Sequence, residues 1–480
     1  MNYGMIRYTL AWILFFEAAF FAVPEICALV YGEWKPLLSF LIASAACVAV
    51  GLSLLIKRPK SKTLYTREGL VIVSLSWIFL SAFGALPFVI SGTIPSYVDA
   101  LFECASGFTT TGASILTEVE SLPKCMLLWR SFTHWVGGMG VLVFIMAFLP
   151  LGGARALHIM QAESPGPSVS KLVPRLKSTA LILYVIYFAL TLLQFTILLF
   201  SDMTPFEALN TAFATAGTGG FGIRNDSLAS FSPFSQIVVT VFMLIFSVNF
   251  SSYYLLYKGR LKDAFNLEFR VFFAIALTAI TVTAVNIHAA GAFPTLGECI
   301  RHAAFTVASI ISTTGFSSTD YGIWPALALT VIVIITFIGG CAGSTAGGLK
   351  VSRITILSKG MARELKSTIH PRRVTKITMD GRTVGHEVVR SVNSYVVIYV
   401  AVFILSLAAI SFENHDLVTN FTAVAATINN VGPGLAKVGP AGNYAFFSIP
   451  SKLVLTFDMI AGRLELLPML VLFSPSTWKK

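Results

Sequence analysis

Residues 102–114 read FECASGFTTTGAS, residues 206–219 FEALNTAFATAGTG, residues 305–317 FTVASIISTTGFS and residues 421–434 FTAVAATINNVGPG. Laid over one another on Gly112, Gly217, Gly315 and Gly432, they share one plan. An aromatic stands 10 or 11 positions before the glycine, a run of small and apolar residues of helical character follows, and Thr110, Thr215, Thr313 or Asn430 stands two positions before it. An internal repeat of this kind decides the architecture before any single element does.

Working outward, apolar runs long enough to cross a hydrocarbon core of roughly 30 Å fall near residues 9–30, 37–56, 69–91, 126–150, 179–200, 235–257, 269–290, 323–356, 391–411 and 446–473. The four quoted stretches lie between the third and fourth runs, and after the fifth, seventh and ninth. Each connection is too apolar for a solvated loop and too short for a span, which predicts a hairpin that enters the membrane and returns on the same side. The repeat unit is then span, re-entrant hairpin, span. This predicts an all-α polytopic membrane protein with four pseudo-symmetric helix, pore-helix, helix repeats around a central pore, at residues 67–170, 171–262, 263–380 and 381–480. Residues 1–66 supply two extra N-terminal transmembrane helices.

Composition agrees. Of the 480 residues 55% are hydrophobic and 12% charged, with mean hydropathy +0.78, against roughly 25% charged in a soluble domain. A soluble globular protein is excluded. The net charge of +11 would elsewhere point to nucleic acid, but here position decides. The segments Lys57–Arg67, Arg155–Lys177, Lys258–Arg270 and Lys350–Arg390, with Arg7, Lys479 and Lys480, hold 26 of the 34 Lys and Arg. The alternate loops hold only Lys35, Lys124, Arg130, Arg224, Arg301, Lys437 and Lys452. An even number of crossings and this asymmetry place both termini in the cytoplasm, with the lipid bilayer and not nucleic acid as the partner of the charge. The first run is too long for a signal peptide and lacks a small-residue cleavage site, so it reads as a retained helix.

Non-helical backbone at membrane depth survives only where protein buries it or water and ions satisfy it. Four hairpins entering from one face can ring an axis with carbonyl oxygens, which replace the hydration shell of a monovalent cation. Glycine suits such a segment because it accepts positive φ and brings carbonyls close to the axis. The short helix before each glycine points its partially negative C-terminal end inward, which favours a cation.

The repeats, above all SGFTTTGAS at Ser106–Ser114, together with GGCAGSTAGGLK at Gly339–Lys350 and GRLELL at Gly462–Leu467, resemble the TrkH and TrkG family of bacterial potassium-uptake subunits, within the wider TrkH, KtrB and HKT superfamily. The resemblance covers essentially the whole chain, and the extra span pair favours TrkH over KtrB. It implies K⁺ uptake across the bacterial inner membrane, a homodimer, and a cytosolic TrkA-like nucleotide-binding regulatory subunit. Carried over residue by residue, it implies a K⁺-binding selectivity filter of Thr110, Thr111, Gly112 and Ala113, then Thr215, Ala216, Gly217 and Thr218, then Thr313, Thr314, Gly315 and Phe316, then Asn430, Val431, Gly432 and Pro433. Most repeats keep only the first glycine of a TVGYG filter, which puts tight K⁺ over Na⁺ selectivity in question.

Gly339, Gly340, Gly343, Ser344, Thr345, Gly347 and Gly348 crowd the middle of the eighth run. Glycines every fourth residue can form a GxxxG packing face, whereas five glycines in ten residues, each costing up to about 1 kcal/mol of helix propensity, equally favour a broken helix. In the family this run is an intramembrane gate below the filter. Leu349, between Gly348 and Lys350, breaks a P-loop. Arg463 lies in the last span, where a lone arginine costs roughly 2.5–3.5 kcal/mol and must face protein or water. It either bridges to Glu465 or Asp458 or, as the resemblance implies, sits under the filter as part of the gate.

Seven histidines show no HExxH motif and no nucleophile elbow occurs, so an enzyme is not expected, nor an organic cofactor. Six cysteines lack metal spacing; Cys104 and Cys125 are the pair that can meet outside. The basic segment Lys350–Arg390 is the expected docking surface for a cytosolic partner. The leading function is a channel-like pore driven by the membrane potential. The alternative is a Na⁺- or H⁺-coupled K⁺ symporter, which needs intramembrane carboxylates; Glu17, Glu25 and Asp458 keep it open.

Overall fold

A computed structural model describes residues 1–57, 59, 64–140, 176–371 and 376–479. The second half of the expected 126–150 span and the basic loop from Arg155 to Arg175 lie outside the described residues, as do Arg58, Lys60, Lys62, Arg372, Arg373 and Lys480. Among the described residues the chain is helical, with one hairpin of two-residue strands in which Thr378 pairs with Thr383 and Met379 with Arg382. Asp380 and Gly381 both take positive φ there, the Asp-Gly signature of a tight hairpin turn.

The first span runs as Tyr3–Phe20 and Ala22–Tyr31. Its break coincides with Pro24, which lacks an N–H and crowds the carbonyl four residues earlier. It packs on Trp34–Leu55, where the Phe15 ring fills the notch at Gly51. Between these helices Glu33 reaches across to accept the N–H groups of Lys124 and Cys125 at 2.7 and 2.9 Å. It thereby caps the helix Lys124–Gly138 of the first repeat, a carboxylate at the positive end of a helix.

Each repeat then delivers an outer helix, a short pore helix and an inner helix. The outer helices are Thr66–Gly84, Leu176–Leu198, Leu267–Ala289 and His386–Ile410. Among the described residues six helices are long and apolar enough to cross a membrane, or seven if one bent pair counts as a span. Leu277, Val285, Val397 and Leu405 stand exposed on their outward faces, which suits lipid. The pore helices Tyr97–Phe108, Pro205–Gly217, Leu296–Ile311 and Leu417–Ile428 contain 12, 13, 16 and 12 residues. At 1.5 Å per residue none reaches across a bilayer. Each begins at a capping side chain that accepts an N–H three residues on: Ser96 from Asp99, Thr204 from Glu207, Thr295 from Glu298 and Asp416 from Thr419. Such caps are worth about 1 kcal/mol apiece and fix where a helix starts.

The inner helices depart from the expected continuous spans. The second repeat breaks between Phe246 and Phe250 with a 90° bend, and the fourth between Arg463 and Leu467. The first repeat's inner helix ends at Gly138. In the third, Ala326–Ile338 and Val351–Ile369 are separated by residues 339–350. The break of the second and fourth repeats is thus enlarged in the third. Cys104 and Cys125, the considered external pair, are both free and buried.

Candidate functional site

Beyond each pore helix the backbone turns in the same way. Thr110, Thr218, Thr313 and Asn430 take φ values of 55, 55, 57 and 54°, and two residues later Gly112, Gly220, Gly315 and Gly432 take 80, 74, 84 and 92°. The intervening N–H groups of Thr111, Gly219, Thr314 and Val431 each donate to the carbonyl five residues back, at 2.8–2.9 Å. This is a Schellman ending, whose left-handed residue is usually glycine. A β-branched threonine there is strained, of order 1–3 kcal/mol, and three of the four positions carry one. Asparagine tolerates the conformation better.

The four turns close on one another. A Cβ added at Gly112 would overlap the carbonyl oxygen of Gly219; at Gly220, that of Thr314; at Gly315, that of Val431; and at Gly432, that of Thr111. Each glycine therefore leans on the next repeat's carbonyl, and the fourth returns to the first. On the face where the pore helices begin, all four glycines line one vestibule of about 180 Å³.

This geometry corrects the register in the second repeat by three residues. Thr215, Ala216 and Gly217 lie in the last turn of the pore helix, and the ring positions belong to Thr218, Gly219 and Gly220. The motif AGTGG offers two glycine alignments, and the helix runs to the later one. Gly217 is small for a different reason: a Cβ there would overlap the His134 backbone. In the other repeats Thr110, Thr111 and Gly112, Thr313, Thr314 and Gly315, and Asn430, Val431 and Gly432 stand at equivalent places, each followed by Ala113, Phe316 or Pro433. Among their side chains, Asn430 Nδ2 donates to Thr111 Oγ1 at 2.9 Å and to the Met459 carbonyl at 2.8 Å.

The residues 339–350 lie directly beneath this ring. Gly339, Gly343, Gly348 and Lys350 have φ between 72 and 77°, so the run is a broken helix and not a GxxxG helical face. The Gly347 N–H donates to Thr313 Oγ1 at 2.7 Å, and a Cβ at Gly347 would strike the Asn429 carbonyl. Thr345 bonds the Phe246 carbonyl with its hydroxyl at 3.1 Å. A Cβ at Gly340 would meet the Ala346 methyl, and the Ser344 hydroxyl turns back to the Cys341 carbonyl. Glu268 holds both shoulders, accepting from the N–H groups of Ala342 and Ser352 at 2.7 and 3.1 Å. Buried Lys350 donates from Nζ to the Ala346 carbonyl.

Arg463 joins the same place from the fourth inner helix. Its guanidinium donates to the carbonyls of Thr345 at 2.7 Å and of Gly137 and Gly138 at 2.6 Å. It so ties the glycine-rich loop to the end of the first inner helix, where the terminal carbonyls attract a cation. Glu465 pairs with Arg353, which also covers the Tyr395 ring at 4.0 Å, and Asp458 accepts from Ser406 at 2.7 Å. Glu17 lies against Gly84 in the packing of the extra helices on the first repeat.

Sequence reading missed Arg130, His134, Glu103 and Glu268. The first two stand four apart on one face of an apolar helix, and that spacing was the available signal. The capping pairs Ser96/Asp99, Thr204/Glu207 and Thr295/Glu298 would likewise have marked the pore-helix starts.

Comparison with known proteins gives a consistent picture. The family model TrkH, described as a cation transport protein, matches residues 37–480. The Trk system potassium uptake protein TrkH of Escherichia coli (strain K12) is 36% identical over 464 residues, 95% of each chain. TrkG of the same strain, also named a Trk system potassium uptake protein, is 33% identical over 95% of this chain and 94% of its own. The crystal structure of the potassium transporter TrkH from Vibrio parahaemolyticus superposes with a TM-score of 0.90 at 31% identity, covering all of both chains.

Proposed function

The chain belongs to the TrkH family of cation transport proteins, and from that premise we propose that it carries K⁺ through the ring of four turns by a channel-like route. The observation that carries this is the closed ring, in which Gly112, Gly220, Gly315 and Gly432 each rest on the neighbouring repeat's carbonyl. A cation entering the vestibule exchanges water for backbone oxygens supplied by four segments at equal depth. The negative ends of four pore helices point at the same place. The left-handed Thr110, Thr218, Thr313 and Asn430 bring side-chain oxygens to the lower edge, which supports their keeping a strained conformation that glycine would adopt freely. Filter residues in the second repeat are Thr218, Gly219 and Gly220 in this reading.

The loop from Gly339 to Gly348 and Arg463 act as the gate. The loop blocks the path below the ring, and the guanidinium adds positive charge where a cation must pass. Because Arg463 is fastened to Thr345, Gly137 and Gly138, opening requires those bonds to be exchanged. The basic distribution of Lys and Arg supports cytoplasmic termini in the bacterial inner membrane, with the vestibule outside. An inside-negative potential, about 2.3 kcal/mol per charge for each 100 mV, then drives uptake without a coupling ion. A homodimer and a cytosolic nucleotide-binding regulator on the Val351–Ile369 side complete the proposal.

The test is uptake of radioactive Rb⁺ into proteoliposomes of the purified protein, driven only by an internal K⁺ excess, with Gly432→Arg as the blocked control. Uptake without Na⁺, a pH gradient or ATP, lost in the control, is the expected result. Uptake that appears only with an imposed Na⁺ or proton gradient would establish the symporter instead.

A further inference from the structure

Arg130 is a buried arginine that the pore reading does not use. Its side chain and that of Glu103 are 3% and 0% exposed, and it lies on the inner helix of the first repeat, four residues from His134. We infer that Arg130, with Glu103 and His134, forms a positioning clamp that sets the spacing between the first and second filter segments and so the discrimination of K⁺ from Na⁺. This rests on the filter reading given above.

The contacts span three chain segments. Arg130 Nε and Nη2 both lie 2.8 Å from Glu103 Oε1 on the first pore helix. Nη1 donates to the Gly222 carbonyl at 3.1 Å, just beyond the second filter segment, and Nη2 to Ser114 Oγ at 3.4 Å, just beyond the first. Glu103 in turn accepts from Ser114 Oγ at 3.0 and 3.1 Å and from the Ile115 N–H at 3.0 Å. One turn deeper, His134 Nδ1 bonds the Gly107 carbonyl at 2.7 Å and Nε2 accepts the Phe221 N–H at 3.2 Å. With Nε2 accepting, Nδ1 carries the proton that Gly107 receives. The Phe221 ring is covered by Arg130 at 4.1 Å and by His134 at 4.3 Å. Phe221 directly follows Gly220, so one helix face holds the exit of both segments.

A buried ion pair is a poor source of net stability, but removing one partner strands the other. Its use here is geometric. Beyond the filter turns the other seams are joined by neutral bonds, Leu228 N–H to the Ser317 carbonyl, Tyr321 hydroxyl to the Gly434 carbonyl and Tyr444 N–H to the Ser114 carbonyl, and the fourth seam adds one ion pair at the start of the first pore helix, Lys452 with Asp99 at 2.6 Å, which touches neither filter exit. The first seam carries a charged fork with three fixed directions, and a carbonyl ring too loose to hold its radius gives way to the smaller ion.

The experiment measures Rb⁺ uptake in proteoliposomes with K⁺ or Na⁺ as competitor, for the full-length protein and for Arg130→Gln, Arg130→Lys, Glu103→Gln, His134→Gln and the Glu103→Gln/Arg130→Gln pair. Arg130→Gln is expected to narrow the K⁺ over Na⁺ preference about tenfold, the loss of one charge-assisted hydrogen bond, with a smaller fall in maximal uptake. The paired variant should recover part of the preference, because it leaves no unpaired charge. His134→Gln keeps an acceptor and a donor and should shift the preference less. If Arg130→Gln does not fold, Ser114→Ala and Arg130→Lys carry the test, each removing part of the fork. Variants that transport less with an unchanged ion preference overturn the clamp, and so does a wild type that passes Rb⁺ without preferring K⁺. Dependence of wild-type uptake on a Na⁺ or proton gradient overturns the passive reading instead, and the competition ratio is then read under that gradient.

Discussion

The ring and the loop beneath it are both built from glycine and positive φ, yet they are held by different forces. In the ring, four tripeptides of three different sequences, Thr-Thr-Gly twice, Thr-Gly-Gly and Asn-Val-Gly, adopt one backbone conformation, each locked by its own five-residue bond and by the neighbour's carbonyl. In the loop, a single segment is fastened at separate points, by backbone bonds to the break in the second inner helix, Cys341 N–H to the Ser247 carbonyl and Phe250 N–H to the Gly343 carbonyl, and by side chains belonging to other elements, Glu268 at its shoulders, Thr313 above it and Arg463 beside it. A ring of mutually braced backbone cannot move one member without the rest. A loop tied at separate points can let go bond by bond. The contrast supports the proposal that the ring selects and the loop gates, and each half of that proposal can be broken separately.

The largest effect is expected in the ring. Gly112→Ser, Gly220→Ser or Gly315→Ser places a side chain on a neighbouring carbonyl at positive φ, a strain of roughly 1–2 kcal/mol before the overlap is counted. Each should lower cation affinity and K⁺ over Na⁺ preference at least tenfold in Rb⁺ competition, and unchanged competition would refute the filter. Thr215→Val, which loses only a bond to the Thr211 carbonyl within the pore helix, should stay near wild type. A stronger effect there than at Gly220 would restore the earlier register.

Next, shortening the segment 339–348 should raise Rb⁺ flux severalfold without a regulatory partner while leaving the ion preference unchanged. Arg463→Ala should act the same way, since three carbonyl bonds are lost. Flux that falls or stays level in both would remove the gate from the loop.

Thr313→Val probes the point where the two regions meet, since its hydroxyl accepts the Gly347 N–H. It should raise basal flux and reduce preference together, each about threefold, near the value of one hydrogen bond. Thr313→Ser should restore both, and a change in only one property would show that ring and loop are uncoupled here.

The smallest effect concerns only placement of a pore helix. Asp416→Ala should cost about 1 kcal/mol of stability in a thermal melt. The hydrogen bonds from Thr419 hold the Asp416 carboxyl below the usual carboxylate range. Its contribution is therefore whole above the ordinary value near pH 4 and fades as pH falls through the lowered one. Asp416→Asn should flatten that acid dependence.

The spans and the fourfold repeat were legible because hydrophobic length and internal similarity are local properties of the chain. The turns at Thr110–Gly112, Thr313–Gly315 and Asn430–Gly432 were legible in the same way, as a polar residue two before a glycine at a helix end. Gly217 misled because Ala-Gly and Gly-Gly lie three residues apart, and local pattern does not say how far a helix runs. The inner-helix breaks at Phe246 and Arg463 were hidden inside continuous apolar runs, since hydropathy does not register a bend.

By itself the sequence determined a membrane-embedded, four-repeat chain with a short helix before each anchor glycine, and a glycine-rich run in its third repeat. These follow from composition and spacing within a few tens of residues. Tertiary structure alone decided the ring register in the second repeat, the seat of Arg463 on three carbonyls, and the union of Glu103, Arg130 and Gly222. Those contacts join segments far apart in the chain, and their geometry is set by how close-packed helices bring terminal carbonyls and buried charges together.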